Sequence, residues 1–283
     1  MSNWLLPNLP IRHLLRELSV GSTGHPLGLL NQLKPTKGHR GNPIKFTENT
    51  LVSLEQAIKI GADGIESDVR FTKDEEVIMM HDTTLERTTN GKNFLEILLT
   101  RSEIGSGNVN DRNWKGYIEY LVTKDNERVS KLQEVLNLLK LNKNIFFIMD
   151  IKDDNNIDIL NRIADIIHSE PYDFRTQIYL GIWAYDFLIR ARQVLPGFPI
   201  SFIGSNISVA REQFFDKVES YNMEYTYILE DTTDFISQIR DRGRKLFVWT
   251  VDTESDMRSL FFYGVDAILT DDPLKCISVK KQM

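Results

Sequence analysis

Glu66 and Asp68 stand two residues apart in GIESDV, and Asp150 and Lys152 repeat that spacing in FFIMDIK. Side chains of an extended strand alternate between its two faces, so the members of each pair point to the same side. Three carboxylates aimed at one place repel each other unless a cation lies among them. Oxygen-only ligation selects a hard divalent ion, Mg²⁺ or Ca²⁺, over zinc. His39 and His81 add an acid and a base that titrate near neutral pH. Arg40 and Lys152 offer positive charge for a group whose negative charge must be stabilised in a transition state. A cation, two imidazoles and two basic side chains are equipment for cleaving a phosphodiester. Any one of these residues alone has a simpler reading, and Glu66 by itself would be a cap or an ion-pair partner. Their convergence from three separated segments is what points to chemistry.

The elements that must position them follow from pattern. From residue 36 onward, short apolar runs alternate with helical stretches such as LVSLEQAIKIGA and VSKLQEVLNLLKL, with Gly61 where a C-terminal cap belongs. Eight candidate parallel strands end at GHR (38–40), GIESDV (64–69), FFIMDIK (146–152), IYLGIW (178–183), ISFIG (200–204), YTYIL (225–229), LFVWTV (246–251) and AILTD (267–271). The expectation is an α/β protein with a closed TIM (β/α)₈ barrel, whose catalytic groups sit at the carboxyl ends of its strands. EVIMMHD (76–82) follows the second strand too closely for a parallel crossover and is read as the return arm of a hairpin, with a small insertion after it. A turn at Asp74-Glu75 pairs Thr72 with Val77, Arg70 with Met79 and Asp68 with His81. Residues 1–36 are read as an N-terminal extension and 37–283 as one barrel domain.

Composition narrows the partners. The chain of 283 residues carries a net charge of −6, so it lacks the basic excess that nucleic acid demands. Its single cysteine, Cys276, excludes an internal disulfide and a Cys-rich zinc site and fits a reducing compartment such as the cytoplasm. Charge is unevenly placed: residues 1–47 hold six Lys/Arg and one acid, the remainder 28 bases and 39 acids. No apolar run is long enough to span a bilayer. Ile11, Leu14, Leu15 and Leu18 follow helical spacing within the basic start. Three readings stay open for it: a helix plugging the barrel bottom, an interfacial helix giving peripheral membrane contact through residues 1–20, or a mitochondrial presequence.

At this point the residues resemble the glycerophosphodiester phosphodiesterase family. Its pattern HRG…PENT…GAD.IE.DV..TKDG..VV.HD..L.RTT.G is matched by His39-Arg40-Gly41, Glu48-Asn49-Thr50, GADGIESDVRFTKDEEVIMMHD and LERTTNG, followed by MDIK, FVWTVD and AILTDDP. The resemblance implies His39 and His81 as catalytic acid and base, with Lys152 beside them, and Glu66, Asp68 and Asp150 as ligands of one divalent cation. It implies Arg40 and Lys152 as phosphate holders, with Glu48 and Asn49 near the same mouth. Trp249 is either a substrate wall or a packed barrel-top aromatic. Departures stand at Thr47, where the family has proline, at Glu75, where it has a turn glycine, and at Asp150, where most members have Glu. The same Asp, a GLW-like strand (Leu180 to Trp183) and TDDP resemble the fungal phosphatidylglycerol phospholipase C branch.

Three functions are therefore expected in turn. The first is a phospholipase C that cleaves phosphatidylglycerol to diacylglycerol and glycerol phosphate. The second is the same chemistry on soluble glycerophosphodiesters such as glycerophosphocholine. The third is a non-catalytic phospholipid-binding barrel, which would need no general acid.

Overall fold

Eight parallel strands close on themselves in a computed structural model that describes residues 35–90 and 107–283. In chain order the strands are β1 (Thr36–Gly38), β2 (Gly64–Phe71), β3 (Val77–Met79), β4 (Phe146–Ile151), β5 (Ile178–Ile182), β6 (Ile200–Gly204), β7 (Ser220–Glu224), β8 (Lys245–Trp249) and β9 (Ala267–Thr270). The sheet runs β1-β9-β8-β7-β6-β5-β4-β2, and β1 pairs β2 to seal the barrel. Strand β3 pairs antiparallel with the far end of β2, beyond Gly64 and Ile65 where β1 pairs. The crossovers carry α1 (Leu51–Lys59), α2 (Leu132–Leu141), α3 (Ile159–His168), α4 (Tyr185–Val194), helical turns over residues 207–214, α5 (Tyr225–Leu229), α6 (Phe235–Asp241) and α7 (Glu254–Tyr263); α8 (Pro273–Lys281) follows β9. The expected α/β barrel is therefore what the chain forms. Residues 1–34 of the N-terminal extension, including its amphipathic stretch, lie outside the described residues, and Thr36 already belongs to β1.

Local chemistry explains the best-read unit. Thr50 caps α1 by accepting from Ser53 N, and Lys59 places a cation in its last turn. Gly61, at φ +97°, ends the helix: its N–H donates to Ile58 O and that of Ala62 to Ala57 O. That is the paired closing pattern a left-handed residue permits.

Alternation along the strands builds two cores. Ile65 and Val69 of β2 and Phe147, Met149 and Ile151 of β4 face the helices. The other parity fills the barrel, where Ile148, Ile203, Phe247, Ala267 and Leu269 pack with Tyr179, Trp183 and Trp249. A small third cluster, including Ile78, Met80, Leu85 and Val109, anchors the insertion after β3.

Two expectations are corrected. YTYIL is the helix α5, and the strand lies just before it in SYNME. Its inward Ser220 and Asn222 make a barrel strand look polar, and the Glu224 side chain accepts from Thr226 N to start a helix where β-propensity suggested a strand. The hairpin is also one residue off the expected register: Phe71 pairs Val77, Arg70 pairs Ile78 and Val69 pairs Met79. The loop is three residues long, with Glu75 at φ +64° and Thr72 N donating to Glu76 O. A left-handed third loop residue is the usual closure of such a hairpin. Asp68 thus faces Met80, whose N–H donates to its carbonyl, rather than His81.

Candidate active site at the carboxyl end of the barrel

Glu66, Asp68 and Asp150 meet at the mouth, each buried, with ligand atoms all within 4.8 Å of one another. The register explains it, since Asp68 pairs Asp150 across β2 and β4 and Glu66 pairs Ile148. Lys152 Nζ donates to Asp150 Oδ2 at 2.6 Å. It also forms an ion pair with Asp68 Oδ1 at 2.8 Å, so one ammonium bridges the two carboxylates. Burial, then Asp68, pushes the Glu66 carboxyl up to about 8. Burial would raise Asp68 too, but Lys152 and Arg40 outweigh it and hold Asp68 far below the usual carboxylate range. Three buried carboxylates whose ligand atoms lie within 4.8 Å of one another suit a hard divalent cation, which would take the place of the proton that Glu66 otherwise keeps.

Each histidine is held from behind. His39 Nδ1 lies 2.7 Å from Asp271 Oδ1, and its Nε2 is 3.9 Å from Glu66 Oε2. Burial disfavours the charged ring, yet Asp271 and Glu66 raise its pKa above the ordinary value. His81 Nδ1 lies 2.8 Å from Asp82 Oδ1. A carboxylate only accepts, so both rings carry the proton on Nδ1 and offer Nε2 to substrate. His81 reaches the mouth despite the shifted hairpin because Arg70 grips its carbonyl, from Nε at 2.9 Å and a terminal nitrogen at 2.6 Å.

Glu48 and Asn49, expected among the substrate-binding groups, stand behind the mouth. Asn49 Nδ2 donates to Asp68 Oδ2 at 2.9 Å, while its Oδ1 accepts from Ser67 Oγ and Asp68 N. Both ends of the amide are spent on orienting Asp68. Glu48 accepts from Arg40 at 2.9 Å and from Arg87 at 2.6 and 2.7 Å. Arg40 itself lines the cavity with His39, Glu66, His81, Asp150, Lys152, Trp183 and Trp249. Its Nε, 3.3 Å from Asp68 Oδ2, has no hydrogen-bond partner among the described residues. Trp249 lines the cavity and packs edge-on against Trp183 at 5.7 Å, while its Nε1 donates to Asn222 O.

Four residues at this site lie in stretches quoted from the sequence but carry no role assigned there: Asp82, Arg87, Trp183 and Asp271. Two of them follow the alternation that found Glu66 and Asp68, for Trp183 lies four residues beyond inward Tyr179 and Asp271 two beyond inward Leu269. Arg87 falls in the matched LERTTNG stretch, but its role shows only through its partners, since it bridges Asp82 and Glu48.

Acid–base groups facing an oxygen-only cluster at a barrel mouth place the protein among the hydrolases that cut phosphoric diesters. Its family is also shown: a model of the glycerophosphoryl diester phosphodiesterase family matches residues 39–275, and the chain belongs to that family. A glycerophosphodiester phosphodiesterase of Caldanaerobacter subterraneus is 28% identical over 246 residues, covering 86% of this chain and 96% of that protein. The human lysophospholipase D GDPD1 is 24% identical over 275 residues, covering 84% and 83%. Among solved structures, an Oleispira antarctica phosphodiesterase in complex with the product sn-glycerol-3-phosphate is similar in fold, with TM-score 0.74, 19% identity and coverage of 89% of this chain and 99% of that one.

Proposed function

We propose that this enzyme is a phospholipase C-type hydrolase that uses one Mg²⁺ or Ca²⁺ ion and cleaves phosphatidylglycerol to diacylglycerol and glycerol phosphate. The observation that carries the reaction class is the buried Glu66–Asp68–Asp150 cluster flanked by two imidazoles, each held at Nδ1 by a carboxylate. In this reading the three carboxylates hold the ion, which when bound polarises the phosphoryl oxygens. Arg40, whose buried Nε makes no hydrogen bond among the described residues, and Lys152 bind the phosphate. One histidine Nε2 takes the proton of the attacking glycerol hydroxyl and the other returns a proton to the leaving oxygen; water then opens the cyclic phosphate. Trp249 and Trp183 wall the glycerol side.

The lipid preference rests on Asp150, on the Leu180–Trp183 strand and on the basic start of the chain, whose residues 1–20 we assign to peripheral contact with an anionic membrane from the cytoplasmic side. The Caldanaerobacter relative, named a glycerophosphodiester phosphodiesterase, favours a second reading, soluble glycerophosphodiesters that release glycerol phosphate. Chelation tests the shared chemistry: turnover should vanish in excess chelator and return with Mg²⁺ or Ca²⁺. Full activity in chelator would remove the carboxylate cluster from the reaction.

A further inference from the structure

Asp150 is the shortest-reaching way to bring a carboxylate to the end of β4, and both of its oxygens are already engaged. Oδ2 accepts from Lys152 Nζ at 2.6 Å, and Oδ1 accepts from the indole Nε1 of Trp183 at 2.7 Å. Trp183 comes from the neighbouring strand, two residues past Gly181, the residue paired with Asp150. A Cβ at Gly181 would lie 2.6 Å from Ile203 Cδ1, 3.0 Å from Met149 O and 3.2 Å from Asp150 Cα, so a side chain there would press on β4. The indole is itself fixed. It packs edge-on against Trp249 at 5.7 Å, and Trp249 is pinned by its own bond to Asn222 O at 2.9 Å. Lys152 Nζ lies 5.1 Å from the Trp183 ring centre, so one aromatic face also sits beside the cation that holds the other oxygen.

From this geometry we infer that Trp183 is a positioning residue for the cation site: its indole N–H orients the Asp150 carboxylate toward Glu66 and Asp68. A carboxylate oxygen has two acceptor directions, so one donor on each oxygen leaves one direction on each for a cation. Two fixed donors also remove the rotamer freedom that binding would otherwise have to freeze. A tryptophan with its nitrogen on a carboxylate thus does what its partner Trp249, with its nitrogen on a backbone carbonyl, does not. The inference rests on reading the cluster as a cation site.

The test is calorimetric titration of the full-length chain with Mg²⁺ and with Ca²⁺, in wild type, Trp183→Phe and Trp249→Phe, with metal-free melting curves for each. Trp183→Phe keeps an aromatic ring and loses the donor. It should weaken binding of whichever ion the wild type takes by ~10–100-fold, the scale for removing a partner of a metal ligand. Turnover should return when that ion is raised to saturation, and Trp249→Phe, which keeps the ring that Trp183 packs against and loses only that ring's own anchor, should weaken ion binding by less. A Trp183→Phe chain that binds the ion as tightly as wild type, or that no longer folds, overturns the inference. So does a raised KM for substrate with unchanged ion affinity, which would make Trp183 a wall alone. Wild-type protein that takes up neither ion would instead overturn the cation site itself.

Discussion

Arg87 holds Asp82 by two hydrogen bonds, from Nε to Oδ2 at 2.6 Å and from a terminal nitrogen to Oδ1 at 3.0 Å. The grip of Arg87 takes Asp82 down to about 2, so that Asp82 is always a carboxylate when it faces His81 Nδ1. The same guanidinium reaches Glu48, which in turn holds Arg40. One half-exposed arginine therefore ties the orientation of a histidine on the β3 side to that of an arginine on the β1 side.

Arg87→Gln cuts this link without touching the cavity. We expect kcat to fall about 10-fold, equivalent to roughly 1.4 kcal/mol of transition-state stabilisation. Melting temperature should change little, because the bonds lost are surface bonds. Steady-state kinetics beside a thermal melt checks this; unchanged kcat would show that His81 and Arg40 keep their places unaided.

Removing either imidazole should be more severe. His39→Ala and His81→Ala are each expected to lower turnover by ~100-fold or more, the usual scale for an acid–base group. Circular dichroism should show both variants folded. A variant that keeps most of its activity would make that histidine structural.

What could be read from sequence was what alternation and spacing encode. Glu66, Asp68, Asp150 and Lys152 end apolar strands two residues apart, so parity alone brings them to one mouth. Strand β7 escaped because its inward Ser220 and Asn222 face a partly polar barrel interior, which breaks the apolar run a strand normally shows. The hairpin was misplaced by one residue because Glu75, not a glycine, takes the left-handed position, and a three-residue loop has no other signal in this sequence. Asn49 could not be assigned to Asp68 at all, since its role depends on where its turn meets β2.

Lys37 is a further consequence of inward parity. It is buried inside the barrel with Nζ 3.5 Å from the Phe247 ring centre, and burial, then Lys245, lowers its pKa from 10.5 to about 7. Between those two values the unfolded chain holds one proton more than the folded one, so this group makes stability rise with pH across that window. Its full penalty is present below about pH 7 and gone above about pH 10.5. Lys37→Met keeps the length and drops the charge. It should raise the melting temperature by several degrees at pH 7 and by much less at pH 10. Equal gains at both values would show that packing, not charge, is what changed.

The substrate itself is the last expectation. Phosphatidylglycerol in vesicles should be turned over faster than glycerophosphocholine, with a lysophospholipid as the third arm of the panel. The physical reason is local concentration: Arg12 and Arg16 accompany Trp4, Leu5, Leu6 and the Ile11–Leu18 stretch in the basic start. Each basic residue near an anionic surface contributes about 1 kcal/mol to docking. A soluble diester gains nothing from docking, so deleting residues 1–30 should lower turnover on vesicles and leave glycerophosphocholine turnover as it was. Added salt should weaken vesicle turnover in the same direction, because exposed charges are screened within about 10 Å at 0.1 M ionic strength. Vesicle turnover that survives both the deletion and salt would remove the N-terminal segment from substrate capture. Equal or faster cleavage of glycerophosphocholine would overturn the lipid assignment, leaving the soluble diesters as substrate and the chemistry of Glu66, Asp68, Asp150 and the two histidines unchanged.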